Sequence, residues 1–190
     1  MNICIFPGTF NPIHNAHIKM AEFALEKFGF DKIIFVPAYL PPHKNIDKNL
    51  AQHRLNMVKI AISDNSQFEL SDIEYKSEGK SYSLITVKKI IEQYQIKNRL
   101  NFIIGTDAFV NIENWYKAEE LKGLVHFIVF PRRGDGNDEI YRNFRKDGWS
   151  FELVNCVFMD VSSTLIRSSK VRDLNKNVES YINENGLYKY

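Results

Sequence analysis

Cysteine is nearly absent from this chain of 190 residues, which has 2, Cys4 near the start and Cys156 near the end. Each lies inside an apolar run and far from the other. That excludes a disulfide framework and a zinc-type spacing, and makes a reducing compartment the expectation. A dominant sign of charge is also missing. Lys and Arg number 25 against 23 Asp and Glu, a net +2, too near neutral for the whole chain to wrap a polyanion, so no nucleic-acid partner is expected. Long hydrophobic runs are lacking too. Stretches such as Ile33 to Val36 and Phe127 to Phe130 fall far below the roughly 20 residues that a membrane helix needs. Pro7 and Gly8 cut the first apolar run at once, unlike a secretory leader. The expectation is a cytoplasmic protein with no membrane partner. What the chain does have is core material, 44% apolar and 13% aromatic residues, ample for one ordinary domain over 1–190.

Hydrophobic periodicity predicts alternating strands and helices. Ile3 to Phe6 is short, β-branched and stopped by Pro7, as a buried strand reads. From His14 on, Ile18, Ala21, Leu25 and Phe28 recur at steps of three and four until Gly29, which predicts a helix. Ile33 to Val36, closed by Pro37, completes a βαβ unit with parallel strands. Leu55, Val58 and Ile62 mark a second helix, and Phe68 to Tyr75 reads as one short strand plus an irregular segment. Ser81 or Ser83 is expected to cap a third helix with the apolar face Leu84, Val87, Ile91 and Tyr94, leaving Lys88 and Lys89 to solvent. Strands are predicted at Phe102 to Ile104 and Val125 to Phe130, with a broken helical stretch between them. Gly134 to Asp138 reads as an exposed loop, followed by a helix over Glu139 to Lys146 and a strand over Phe151 to Met159. Ser162, Ser163 and Thr164 are N-cap candidates for a short helix, and Val178, Tyr181 and Ile182 mark a last one. The fold class is therefore α/β, a doubly wound, mainly parallel sheet with helices on both faces. Ligands in such folds bind beyond the carboxyl ends of the strands, which directs attention to the loops after Phe6, Val36, Ile104 and Phe130.

The first of these loops, Pro7 to His17, joins a strand to a helix. Gly8 allows close backbone approach, and the helix start offers free N–H groups to an anion. His14 and His17, three apart, share a helix face and can both donate to phosphoryl oxygens there. Other readings stand beside this one. A histidine can simply cap the helix, and two imidazoles without an acidic neighbour make a poor metal site, so no protein-held metal is expected. Trp115 can be core, Asp107 an N-cap and Lys44 a solvated loop charge. Asp72 and Glu74 read as solvated or capping rather than as a catalytic pair.

Gly8-x-Phe10-x-Pro12-x-His14-x-x-His17, together with Val161-Ser162-Ser163-Thr164-Leu165-Ile166-Arg167, resembles the paired signatures of the HxGH-type nucleotidyltransferase superfamily. The resemblance is closest to its bacterial nicotinate-nucleotide adenylyltransferases. Supporting pieces run in order along the chain: Pro41-Pro42-His43-Lys44, Gln52-His53-Arg54-Leu55, Ser81-Tyr82 with Thr86, Gly105-Thr106-Asp107, Trp115-Tyr116, Pro131-Arg132 and Gly186-Leu187-Tyr188. The resemblance implies a Rossmann-like fold and adenylyl transfer from ATP to nicotinate mononucleotide, giving deamido-NAD and pyrophosphate. It implies catalytic roles for His14, His17, Lys44 and Arg167, and ATP contacts from Gly8, Thr9, Phe10, Gly105, Asp107, Arg132, Ser163 and Thr164. Tyr82, Thr86 and Trp115 match positions around the pyridine nucleotide. Mg²⁺ is expected on the ATP phosphates rather than in a carboxylate cage. The helical part from about residue 162 is expected to complete the ATP site, and a homo-oligomer is left open.

Three departures qualify the match. Pro7 replaces a common glycine and has no N–H to offer a phosphate. Ala16 stands for the glycine between the histidines, a change that suits a helix. The segment from Arg167 to Val178 is short, which puts the C-terminal packing in question. Sister activities on nicotinamide mononucleotide or phosphopantetheine, and a non-catalytic nucleotide-binding regulator, are the competing readings.

Overall fold

The computed structural model describes residues 1–42, 47–77, 79–131, 138–155, 162–168 and 172–188. Six strands form one parallel sheet: β1 (Ile3–Gly8), β2 (Lys32–Pro37), β3 (Phe68–Leu70), β4 (Leu100–Gly105), β5 (Val125–Phe130) and β6 (Phe151–Leu153). Their order is β3-β2-β1-β4-β5-β6, the doubly wound arrangement in which chain direction across the sheet reverses between β1 and β4. The expected fold class is what the chain adopts.

Side chains alternate between two cores. Ile3, Ile5, Ile34, Val36, Phe102 and Phe127 face one side, where α3 (Ser83–Tyr94), α5 (Ala118–Leu124) and α6 (Asp138–Lys146) cover them. Cys4, Phe6, Ile33, Phe35, Ile103 and Ile128 face the other, under α1 (Asn15–Phe28), α2 (Leu50–Ala61) and α8 (Lys176–Glu184). Burial on both faces is why the central strands read as unbroken apolar runs. Each fully buried aromatic or branched side chain contributes about 1.5–3 kcal/mol. The C-terminal packing left open by the short segment is settled through Val178, Ile182 and Leu187, which enter the second core. Tyr181 fastens the same helix to α2, its hydroxyl 2.9 Å from Nδ1 of His53 and from Nδ2 of Asn56.

Several boundaries differ from expectation. Pro7 and Pro37 do not stop their strands but lie within them, paired in register with Val36 and Gly8 respectively. The pairing of β1 with β4 reaches only Ile5 and Phe102. The carbonyl of Gly8 accepts from Ala38 on the β2 side, so strand alternation turns the missing N–H of Pro7 toward β4, where the ladder has already opened. A proline is therefore tolerated in a central strand. Tyr82, not a serine, occupies the N-cap of α3, because Oγ of Ser81 accepts the N–H of Leu40 instead. Gly105, not Asp107, caps α4 (Thr106–Phe109). The broken stretch resolves into α4, a 3₁₀ turn at Ile112–Asn114 and α5. Ser162 caps α7 (Ser163–Arg167) as expected, accepting from the N–H of Leu165 at 3.3 Å. Residues 134–137 of the expected loop and 156–159 of the expected last strand lie outside the described residues. Among the described residues, no helix is long and apolar enough to cross a membrane.

Candidate active site

Beyond Ile5 and Phe102 the strands β1 and β4 separate, and a cleft of about 1270 Å³ opens over their carboxyl ends. It is lined by the loop after β1, the starts of α3, α4 and α7, and the turn at Trp115. Its size suits a dinucleotide-scale ligand.

The first loop is built by one aromatic ring. Phe10 adopts φ 46° and is buried, folding its ring back over Gly8. A Cβ on Gly8 would lie 2.7 Å from that ring, so the glycine is needed first for Phe10. The Phe10 ring meets Phe6 at 5.6 Å and the imidazole of His17 at 5.1 Å, edge to face in both cases. His14 is the N-cap of α1 and His17 stands one turn in, their rings 3.7 Å apart. The backbone N–H of His14 points to Nδ1 of His17 at 3.2 Å. A backbone N–H can only donate, so Nδ1 accepts and the ring proton of neutral His17 is assigned to Nε2. Capping and ligand-facing roles are thus compatible in this pair: both histidines line the cleft while they order the helix start.

The C-terminal elements close on that loop. Oγ of Ser163 donates to the Pro12 carbonyl at 2.9 Å, and Arg167 donates from Nη1 to the Asn11 carbonyl at 2.6 Å and from Nη2 to Oγ1 of Thr164 at 3.3 Å. The Tyr188 hydroxyl donates to Oδ1 of Asn11 at 2.6 Å. Asn15 bonds Asp173 through both its backbone and its side chain, at 3.1 and 2.9 Å. Ser163, Thr164 and Arg167 all line the cleft.

On the far side, Gly105 ends β4, and Asp107 stands exposed in the first turn of α4 beside the cleft. Trp115 is half-buried, its ring 6.3 Å from Phe102, so it belongs at once to the core edge and to the cleft wall. Tyr82 packs against Tyr116 at 4.6 Å, and both line the cleft. Thr86 is not brought to the cleft. It is buried behind it, its hydroxyl donating to Oε1 of Glu74 at 2.6 Å. Ser83, at the start of α3, lines the cleft instead. Lys44 and Arg132 lie outside the described residues.

Two buried side chains, one lining the cleft and one behind it, had no such role in the sequence. Glu74, expected to be solvated or capping, is buried and accepts from Thr86, from the Tyr39 N–H at 3.2 Å and from Ser81. Burial pushes its carboxyl above the ordinary range, against the opposing pull of those donors and of Arg54. Asp72 behaves as expected, in an exposed pair with Lys76. Lys88 is exposed, but Lys89 is half-buried and bonds Oγ of Ser77. Arg54 is fully buried, and burial lowers its pKa while nearby Tyr75, Tyr188 and Glu74 oppose the shift. The signal was present in the sequence: Arg54 falls three after Ala51 and three before Met57, on the stripe that α2 buries.

A cytidylyltransferase-like family model matches residues 5–173. The nicotinate-nucleotide adenylyltransferase of Bacillus subtilis is 40% identical over 193 residues, spanning 98% of this chain and 97% of that protein. Two solved structures of Plasmodium falciparum nicotinic acid mononucleotide adenylyltransferase share the fold. The one complexed with NaAD has a TM-score of 0.81 at 23% identity and covers 98% of this chain and 97% of its own. The one complexed with APC has a TM-score of 0.77 at 22% identity, over 98% of this chain and 96% of its own. The chain belongs to the cytidylyltransferase-like family and, within it, to the nicotinate-nucleotide adenylyltransferases.

Proposed function

We infer that this cleft joins ATP and nicotinate mononucleotide. The 5′-phosphate oxygen of the mononucleotide attacks the α-phosphorus of ATP, the bond from that phosphorus to its bridging oxygen breaks, and pyrophosphate leaves with the electron pair. The products are deamido-NAD and pyrophosphate. The observation that carries this reading is the placement of His14 and His17 together at the start of α1, in the crevice where β1 and β4 part. Free N–H groups there favour an anion, and a neutral His17 offers Nε2–H to oxygens at the reacting phosphorus. An in-line displacement needs no protein nucleophile, so positioning and charge stabilisation suffice.

Arg167, already tethered to Asn11 and Thr164, has further N–H groups for the outer phosphates, with Lys44, Ser163 and Thr164 as its partners. Gly8, Thr9 and Phe10 give backbone contacts to ATP, and Gly105, Asp107 and Arg132 hold its adenosine end. Tyr82 and Trp115 face the pyridine nucleotide, a cationic ring that aromatic faces attract. Thr86 supports this wall through Glu74 rather than touching the nucleotide.

Among the described residues no three His, Cys, Asp or Glu side chains gather as a metal cage. We propose that Mg²⁺ reaches the site on the ATP phosphates and water, with no side chain assigned as its ligand. Bound so, the ion supplies charge neutralisation on the phosphates. The setting we propose is the cytoplasm, where ATP is made available and Cys4, buried and free, stays reduced.

Pyrophosphate release with Mg-ATP, measured in parallel with nicotinate mononucleotide, nicotinamide mononucleotide and phosphopantetheine, tests the reading. A strong kcat/KM preference for the first is expected. Preference for another acceptor keeps the mechanism and moves the substrate, and silence with all three in protein that binds ATP overturns it.

A further inference from the structure

Arg54 is the one fully buried charged side chain among the described residues, and its guanidinium reaches two loops at once. Nη1 donates to the Thr9 carbonyl after β1 at 2.9 Å and to the Ala38 carbonyl after β2, while Nη2 donates to the Tyr39 carbonyl at 2.9 Å. Tyr39 is gripped at its other end by Glu74, which accepts its N–H. Ser81 and Leu40 exchange a further pair of bonds, at 2.9 and 3.0 Å, which ties the same loop to the entry of α3. Arg54 itself does not line the cleft.

We propose that Arg54 is a positioning residue for adenylyl transfer: by clasping Thr9, Ala38 and Tyr39 it sets the separation of the two loops and, through Thr9 and Phe10, the place of the His17 ring. The proposal rests on the adenylyl-transfer reading of the site. Its route is short and physical. Thr9 is the residue before Phe10, whose left-handed backbone is one that a bulky side chain adopts only when its surroundings hold it there. The peptide linking the two is planar and trans, so anchoring the Thr9 oxygen on Arg54 turns the Phe10 N–H the opposite way. The Phe10 ring in turn abuts the His17 imidazole at 5.1 Å. A planar fork with several fixed donors can bridge three carbonyls on two loops, whereas an ammonium on a flexible stem cannot hold the same spacing.

The test is steady-state pyrophosphate release by the full chain, wild type against Arg54→Lys, with folding followed by circular dichroism and thermal melting. Well below its melting temperature, folded Arg54→Lys is expected to lose roughly tenfold to a hundredfold in kcat, while KM for ATP and for nicotinate mononucleotide each move by less than about threefold. A structural role alone lowers the melting temperature and leaves kcat per folded molecule unchanged. That result overturns the proposal, as does a loss confined to KM. Arg54→Gln, which keeps a neutral planar donor, serves in the same assay if the lysine chain does not fold, and wild-type kcat in it overturns the proposal equally. A silent wild type sinks the adenylyl-transfer reading itself, before any variant is compared.

Discussion

His17 is held from both sides, by the backbone N–H of His14 on Nδ1 and by the Phe6 and Phe10 rings around the imidazole. Its truncation therefore removes a donor that is already aimed. His17→Ala is expected to remain folded and to lose roughly 10² or more in kcat, the scale for one transition-state donor, and unchanged turnover in the folded variant would contradict the assignment. Gly8→Ala tests the loop below it. The added Cβ must displace the Phe10 ring, at a cost of about 1–3 kcal/mol, read as a lowered urea midpoint together with a fall in kcat. Glu74 gives a pH signature. Its proton is held more tightly in the fold than in the unfolded chain, chiefly through burial, so its contribution to stability is complete below the ordinary glutamate range and is lost as pH rises through the folded value. The unfolding free energy of the wild type should thus fall relative to Glu74→Gln as pH is raised from about 4 to about 8, and parallel curves would remove the effect. At this scale the grouping of Gly8, His14 and His17 at one strand-to-helix switch was legible from their spacing, and Arg167 only through the second signature that the chain resembles. The role of Thr86 was not, because helical rotation decides which of Ser83 and Thr86 reaches the cleft, and a match of residue types does not fix that rotation.

Helices and strands were legible wherever one periodicity prevailed. α1 spans Asn15–Phe28, ending at Gly29 with φ 60°, as its apolar spacing and glycine stop predict. Boundaries failed where a bond partner from elsewhere intervened. Leu40 takes the hydroxyl of Ser81 and leaves the cap of α3 to Tyr82, and the parting of β4 from β1 lets Pro7 remain in a strand. On the proposed reading the elements also divide the substrates between them: the starts of α1 and α7 take the phosphates, while the turn at Trp115 and the entry of α3, which line the same cleft, form the wall for the pyridine nucleotide. Trp115→Ala is accordingly expected to raise KM for the pyridine nucleotide more than KM for ATP. Equal loss for both would take the ring out of that wall.

At the scale of the molecule, residues far apart in sequence meet around one crevice. Asn11 is bonded by Arg167 and Tyr188, and Pro12 by Ser163, so the first loop and the C-terminal elements hold each other in place. Saturating Mg-ATP should raise the melting temperature, since a ligand at about 100 times its Kd adds about 2.7 kcal/mol to the folded state. An unshifted melting curve in excess Mg-ATP would show that the folded chain does not bind it. The sequence by itself determined the alternation of strands and helices, the parallel sheet and the histidine pair at the β1–α1 switch, because these follow from local periodicity and from residue types at short spacing. Tertiary structure decided which polar groups are buried and what they hold. Arg54, Tyr188 and Asn11 act through partners 15 to 177 positions away and Glu74 grips Tyr39 at 35, and no local pattern states which carbonyl a buried guanidinium will find once the sheet has formed.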